Sequence, residues 1–305
     1  MARSTHQALH DPRNDAVWVY VNGAFVPRNE ASVSVFDSGF LVGDGVWEGL
    51  RLHHGTFVFL DHHLDRLFQG LAAIDLDLGM DREEVTALLR RVVDKNKMHD
   101  GVHLRLMVTR GRKKTPSQHP SNSVGGPTVV VIAEYKTADP QVRGQGISLY
   151  TSSTRRPPPD TLDPKLNCHS KLHEVIALIQ ATKAGADEAL MLDPTGAVST
   201  CNATNFFIVV RGEVWTSTGL YCMNGITRQM VLELCRSEGI PCSEKAFSLT
   251  DCYGAQEAFV TGTFGGLTPV REIDGRTIGQ ERPGPITARL SASYQAAVLL
   301  ACGQG

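Results

Sequence analysis

A mixed α/β (α+β) protein of two domains is what this sequence predicts, and three observations predict it. The chain has 305 residues, enough for two compact domains with substantial cores. Apolar runs with the period of two that marks strands alternate along it with stripes of helical period. Between Tyr135 and Gly144 the composition turns polar, which marks a boundary. The expected divisions are a polar N-terminal tail over residues 1–16, a small α/β domain over 17–135, a linker over 136–144 and a C-terminal domain over 145–305.

The elements follow from local patterns. Val17 to Val26 reads as two strands joined at Asn22-Gly23, the residue pair that favours a type I′ hairpin turn. A glycine-rich stretch, Asp37 to Arg51, holds Trp47 and Glu48 and leads into a second hairpin over Arg51 to Leu60, turning near His54-Gly55. From Leu60 a helix carries Leu60, Leu64, Leu67, Phe68 and Leu71 on one stripe, with Arg66 beside it as an anion ligand or a salt-bridge partner. A second helix runs from Arg82 to about Met98. Val102 to Thr109 and Thr128 to Glu134 read as strands flanking a basic loop, Arg110 to Lys114, which is a solvated face or a receiver for a carboxylate.

The second half turns on Leu162 to Ala181. Asp163-Pro164 holds the chain out of helix, Ser170 is a candidate N-cap, and Leu172, Val175, Ile176 and Ile179 recur at i, i+3, i+4 and i+7. Lys165 and Lys171 therefore flank a strand-to-helix corner. An amine held there suits Schiff-base chemistry with an aldehyde cofactor, while the plain alternative is that both lysines are solvated. Strands follow at Glu188 to Leu192, Val198 to Cys201 and Phe206 to Val210. Gly225-Ile226-Thr227 then opens a helix whose unpaired N–H groups favour an anion. Ala258 to Val270 is a strand breaking into Thr and Gly, a second candidate phosphate loop, and a closing helix starts at Pro285.

With 30 basic against 32 acidic residues and a net charge of -2, nothing points to nucleic acid or a membrane surface. The seven cysteines show no CxxC spacing, so neither a disulfide framework nor a zinc site is indicated, and no metal is expected. No signal-peptide core or membrane-spanning run is visible, which predicts a cytoplasmic protein.

Taken in order, Gly43-Asp-Gly-Val-Trp-Glu-Gly-Leu-Arg51, Leu60-Asp-His-His-Leu-Asp-Arg-Leu67, Asp187 to Asp193, Asn205-Phe-Phe207, Gly225-Ile-Thr-Arg228, Thr261-Gly-Thr263 and Thr268-Pro-Val270 resemble the class IV (fold type IV) pyridoxal-phosphate aminotransferases. That family includes branched-chain and D-amino-acid aminotransferases and aminodeoxychorismate lyase. The resemblance implies a small α/β domain, a larger pseudo-barrel domain, a homodimer and pyridoxal 5′-phosphate as cofactor. By position, Arg66 would pair with the cofactor phosphate, Ile226 and Thr227 would offer it backbone N–H groups, and Thr263 a hydroxyl or N–H. Trp47 would stand against the substrate, with Arg51, Arg105 and the Arg110 to Lys114 loop as candidates for its carboxylate.

The chemical end departs from the family. An ungapped reading puts Asn167 at the position of the Schiff-base lysine and Thr200 at that of the glutamate beside the pyridine nitrogen. Asparagine forms no imine, and a neutral hydroxyl weakens the electron sink that transamination uses. Lys171, where the family often has a tyrosine near the cofactor's ring hydroxyl, is preferred over Lys165 as a relocated amine; a third possibility is neither. The resemblance implies an aminotransferase acting on an amino acid or amine and a 2-oxo acid. The alternatives are a lyase and a non-covalent binder of pyridoxal phosphate or another phosphorylated ligand.

Overall fold

The structure is a computed structural model that describes Thr5 and residues 8–303. The chain divides into two compact units. One comprises Leu9–Thr137 with the short stretch Leu166–Ser170, and the other takes Ala138–Lys165, the chain from Lys171 onward, and Thr5 with Ala8.

The first unit contains β1 (Trp18–Val21), β2 (Ala24–Pro27), α1 (Ser38–Val42), β3 (Gly45–His53), β4 (Thr56–Phe57), α2 (Leu60–Ala73), α3 (Arg82–Lys95), β5 (Val102–Thr109), β6 (Arg112–Lys113), β7 (Ser123–Val124) and β8 (Thr128–Tyr135). Its main sheet has six strands in the order β2-β1-β8-β5-β3-β4. Asn22 and Gly23 turn the first hairpin with φ of 45° and 92°, and His54 and Gly55 the second with 47° and 75°. Strand β3 alternates as a half-covered strand must: Val46, Glu48, Leu50 and Leu52 are buried, and Trp47 and Arg51 are only half-buried. The buried face packs under α2 and α3, where Leu64, Leu67, Leu71, Leu88, Leu89 and Val92 close the core.

The second unit contains α4 (Pro140–Gln145), β9 (Ile147–Thr151), α5 (Pro159–Leu162), α6 (Leu172–Lys183), β10 (Glu188–Leu192), β11 (Val198–Cys201), β12 (Asn205–Val210), β13 (Glu213–Thr216), α7 (Ile226–Ser237), β14 (Cys242–Glu244), α8 (Leu249–Tyr253), β15 (Glu257–Gly262), β16 (Gly266–Ile273), β17 (Arg276–Thr277) and α9 (Pro285–Ala301). Its nine strands form one sheet, β11-β10-β9-β16-β15-β12-β13-β14, with β17 on β16. The parallel pairs β9–β10 and β9–β16 need crossovers, and α6 supplies the one from β9 to β10. Glu257 accepts from the backbone N–H groups of Ile286 and Thr287, so it caps α9.

Several local expectations give way to tertiary contacts. Residues 12–16 of the stretch read as a tail form a 3-10 turn capped by Asp11, and 140–145 of the stretch read as a linker form α4. Ser170 does not cap α6: Lys171 is the N-cap residue and makes no side-chain cap bond, and Ser170 Oγ donates to Gly43 O instead. The stripe Leu172, Val175, Ile176 and Ile179 faces outward, 71%, 48%, 42% and 48% exposed; α6 buries Glu174, Ala177 and Ala181. The basic loop is solvated only in part, at the exposed Arg112 and Lys114. Arg110 is paired with Asp44, and Lys113 is buried in β6 with its Nζ donating to His119 O. Among the described residues no helix is long and apolar enough to cross a membrane.

Candidate active site

In the first unit, Glu48 points from β3 into the core beneath α2, a place a carboxylate occupies only with partners. Helix α2 brings them on one face, three residues apart. Arg66 donates Nε to Glu48 Oε1 at 2.7 Å and Nη2 to Oε2 at 2.8 Å, and His63 Nδ1 lies 2.7 Å from Oε2. Burial alone would raise the Glu48 carboxyl, but the charge and hydrogen bonds of Arg66, with the bond to His63, outweigh it and hold it below the ordinary carboxylate range. Burial pushes the His63 imidazole down against the pull of Glu48, so a neutral ring donates Nδ1–H to the carboxylate. Arg66 is thus a salt-bridge partner, though not of Asp61 or Asp65, which both face Arg82. The guanidinium edge at Nη1 is the one Glu48 leaves.

The other face of the same sheet carries Trp47, Arg51 and Arg105. Arg105 sits opposite Gly49 in the β3–β5 register, and its guanidinium stacks on the Trp47 ring at 4.0 Å. Burial pushes Arg105 down against the nearby charge of Glu134. Arg51 donates Nη1 to Lys136 O at 2.8 Å, and burial, with the charges of Arg105 and Arg51 added, holds the Lys136 amine low despite Glu134. The sheet therefore gathers cations beside an aromatic ring.

Asn167 belongs to this unit. The stretch Leu166–Ser170 runs beside β3, bonded by Trp47 N–H to Asn167 O, His169 N–H to Gly45 O and Trp47 Nε1 to Cys168 O. The Asn167 side chain is buried and donates Nδ2 to Trp47 O at 2.6 Å.

The second unit holds the remaining candidates. Lys165 is exposed in a turn where Asp163 Oδ1 accepts its N–H, not on a strand. Lys171 is half-buried with Nζ 3.5 Å from Glu174 Oε1, an oxygen that also accepts from buried Arg156 at 2.8 Å. Thr200 is buried in β11 and gives its hydroxyl proton to Thr204 O. Helix α7 starts at Ile226 after Gly225, with no side-chain cap, which leaves the first N–H groups, those of Ile226 and Thr227, for an anion. A Cβ at Gly225 would press on Asn205 Oδ1, so a larger residue there would displace the Asn205 side chain. Asn205 Nδ2 donates to Met223 O at 2.8 Å and reaches Thr200 Oγ1 at 3.4 Å, which links β11 to the start of α7. Opposite Asn205 in the β12–β15 register stands Thr261, whose buried Oγ1 has no hydrogen-bond partner. Thr263 follows β15 in the turn to β16. The uncapped N–H groups at the start of α7 fit a phosphate. Glu48, Asn205 and Thr261 were present in the sequence motifs, but nothing local to them revealed their partners.

Comparison with known proteins decides what this arrangement belongs to. The description "Amino-transferase class IV" matches residues 45–273. The chain belongs to the class IV aminotransferase family. It is 42% identical over 288 residues to the branched-chain-amino-acid aminotransferase-like protein 1 of Arabidopsis thaliana, covering 94% of this chain and 52% of that one. The chain thus spans about half the length of that relative. It is 38% identical over 278 residues to a protein of Methanocaldococcus jannaschii named as a branched-chain-amino-acid aminotransferase with provisional status, covering 91% and 95% of the two chains. The branched-chain amino acid aminotransferase of T.th., solved with pyridoxamine 5′-phosphate, superposes with a TM-score of 0.87 at 28% identity over 95% of each chain. The fold is accordingly fold type IV, a half-barrel sheet and a separate sheet domain.

Proposed function

We propose that this class IV chain is a pyridoxal-phosphate-dependent aminotransferase, moving an amino group between an amino acid or amine and a 2-oxo acid. Family membership across residues 45–273 carries the reading, and the uncapped start of α7 supports it. In the second unit Ile226 and Thr227 would hold the phosphate through N–H groups, with Thr263 as a further donor, and in the first unit Arg66 would offer an anion the edge that Glu48 leaves. The bound cofactor supplies an electron sink for a substrate carbanion. Thr200 would face its ring without a carboxylate's charge. Trp47 would pack on the substrate, and Arg105 and Arg51 would receive its carboxylate, supported by their shared sheet face.

Lys171 is the amine we assign to a covalent hold on the cofactor; its half-buried place beside Glu174 favours it over exposed Lys165. Borohydride reduction of the protein with pyridoxal phosphate, followed by intact mass, tests this. A cofactor-sized increment in wild type and Lys165→Ala, absent from Lys171→Ala, is expected. An increment retained in Lys171→Ala rejects the assignment. Thr200 in place of a carboxylate favours a second reading, a lyase, which would release product without any 2-oxo acid. A homodimer is the proposed assembly, supported by the outward apolar stripe of α6, and a cytoplasmic setting is proposed from the composition.

A further inference from the structure

Two thiols meet in the second unit where α7 ends and β14 begins. The helix closes in a Schellman turn: Gly239 takes a φ of 67°, its N–H reaches Arg236 O at 3.4 Å, and the Ile240 N–H bonds Cys235 O at 2.9 Å. That closure folds the chain back along the helix. Cys242 opens β14, and Cys242 and Glu244, two residues apart on a strand, share one side of it. Glu244 identifies that side, because its Oε2 accepts from Arg228 Nη2 of α7 at 2.6 Å. Between these two ties, Ile240 to Cys235 and Glu244 to Arg228, Cys242 faces α7, and its thiol lies against that of Cys235. The two differ in access: Cys235 is fully buried and Cys242 only half-buried. Burial, with the Cys242 thiol beside it, pushes the Cys235 thiol up to about 12, so Cys235 is the poorer nucleophile as well as the hidden one.

We propose that Cys235 and Cys242 are a modification site, a thiol pair that a peroxide converts to an intrachain disulfide and a thiol reductant restores. The Cys242 sulfur attacks one peroxide oxygen; the O–O bond breaks, the far oxygen leaves as water with the thiol proton, and Cys242 becomes a sulfenic acid. The Cys235 sulfur then attacks the Cys242 sulfur, the S–O bond breaks, and the hydroxyl leaves as water with the Cys235 proton. Two thiols are oxidised to one disulfide, and one peroxide is reduced to two waters. The link shields Cys242 from further oxidation, and reduction returns both thiols. Cys235 lies roughly 14 Å along the helix axis from Ile226, so this site is separate from the candidate phosphate cradle at the start of α7.

Peptide mapping of the peroxide-treated full chain tests it. The protein is exposed to hydrogen peroxide at a concentration that leaves its far-UV circular dichroism unchanged, then alkylated in denaturant without reduction. Trypsin cleaves after Arg236 and so puts the two cysteines on separate peptides, 229–236 and 237–245. Expected is a linked pair two hydrogens lighter than the sum of its parts, which dithiothreitol separates. Cys235→Ser should lose the link and let Cys242 run on to the sulfinic acid, and Cys242→Ser should leave Cys235 unoxidised. Peptides that stay unlinked in wild type would overturn the inference. So would a link from Cys242 to any other cysteine, sulfinic acid at Cys242 formed as readily in wild type as in Cys235→Ser, or a Cys235 oxidised as readily in Cys242→Ser as in wild type.

Discussion

Arg66 and Glu48 show how burial decides what a residue is worth. The Glu48 side chain is 2% exposed and that of Arg66 14%, so removing the arginine strands a carboxylate in the core. Arg66→Ala should cost about 3–5 kcal/mol of stability in urea unfolding, and adding Glu48→Gln should recover much of it. A loss under about 1 kcal/mol would mean the pair is solvated. Phosphate affinity is therefore best compared in a Glu48→Gln background, where folding and ligand binding no longer move together. The same cluster sets a pH dependence. Glu48 and His63 both titrate in the folded chain below their ordinary values of 4.5 and 6.5. The unfolded chain then binds more protons, so this stability is fully present above 6.5 and is lost as pH falls through the folded values. Stability measured from neutral pH down to 4.5 should fall less steeply in His63→Gln than in wild type; an unchanged slope would exclude His63 as a contributor.

Helix α6 shows what an element adds to its residues. Its small residues Ala177 and Ala181 join Ala186, Ala189 and Met191 in one buried cluster, which lets the helix lie close to β10. The price is that its larger apolar side chains, Leu172, Val175, Ile176 and Ile179, face outward. Such a stripe is an association surface more often than an accident. In sedimentation velocity, wild type should run as a dimer and Val175→Glu/Ile179→Lys should shift toward monomer with unchanged far-UV circular dichroism. Identical sedimentation would remove α6 from the interface. The helix pattern was legible in the sequence, but its orientation was not, because periodicity identifies a stripe without saying what lies opposite.

At the scale of the whole molecule, the second unit carries a carboxylate of opposite character to Glu48. Glu188 in β10 is buried and accepts from Thr5 N–H, Thr5 Oγ1 and Thr204 Oγ1, which ties Thr5 to the sheet. Burial raises its carboxyl above the ordinary value of 4.5 in spite of these bonds. A raised folded value means stability that is full below 4.5 and lost as pH rises through the folded value, the reverse of the Glu48 and His63 contribution. The stability difference between Glu188→Gln and wild type should therefore move in the variant's favour as pH rises. A difference independent of pH would show that Glu188 ionises normally.

The features that the residues settled unaided are local ones. Asn22-Gly23 and His54-Gly55 specify their turns through residues that accept positive φ, Leu64, Leu67 and Leu71 specify the stripe of α2, and Gly225-Ile226 marks the start of α7. Each depends on neighbours within a few positions. It took the packed chain to decide that Arg66 meets Glu48 and not Asp61 or Asp65, that Lys113 is buried, that Ser170 serves Gly43 instead of α6, and that Asn167 is pinned to Trp47. The reason is register. A partner far along the chain is chosen by how strands pair and helices pack, and a shift of one residue in β3 would turn Glu48 out of the core and Trp47 into it.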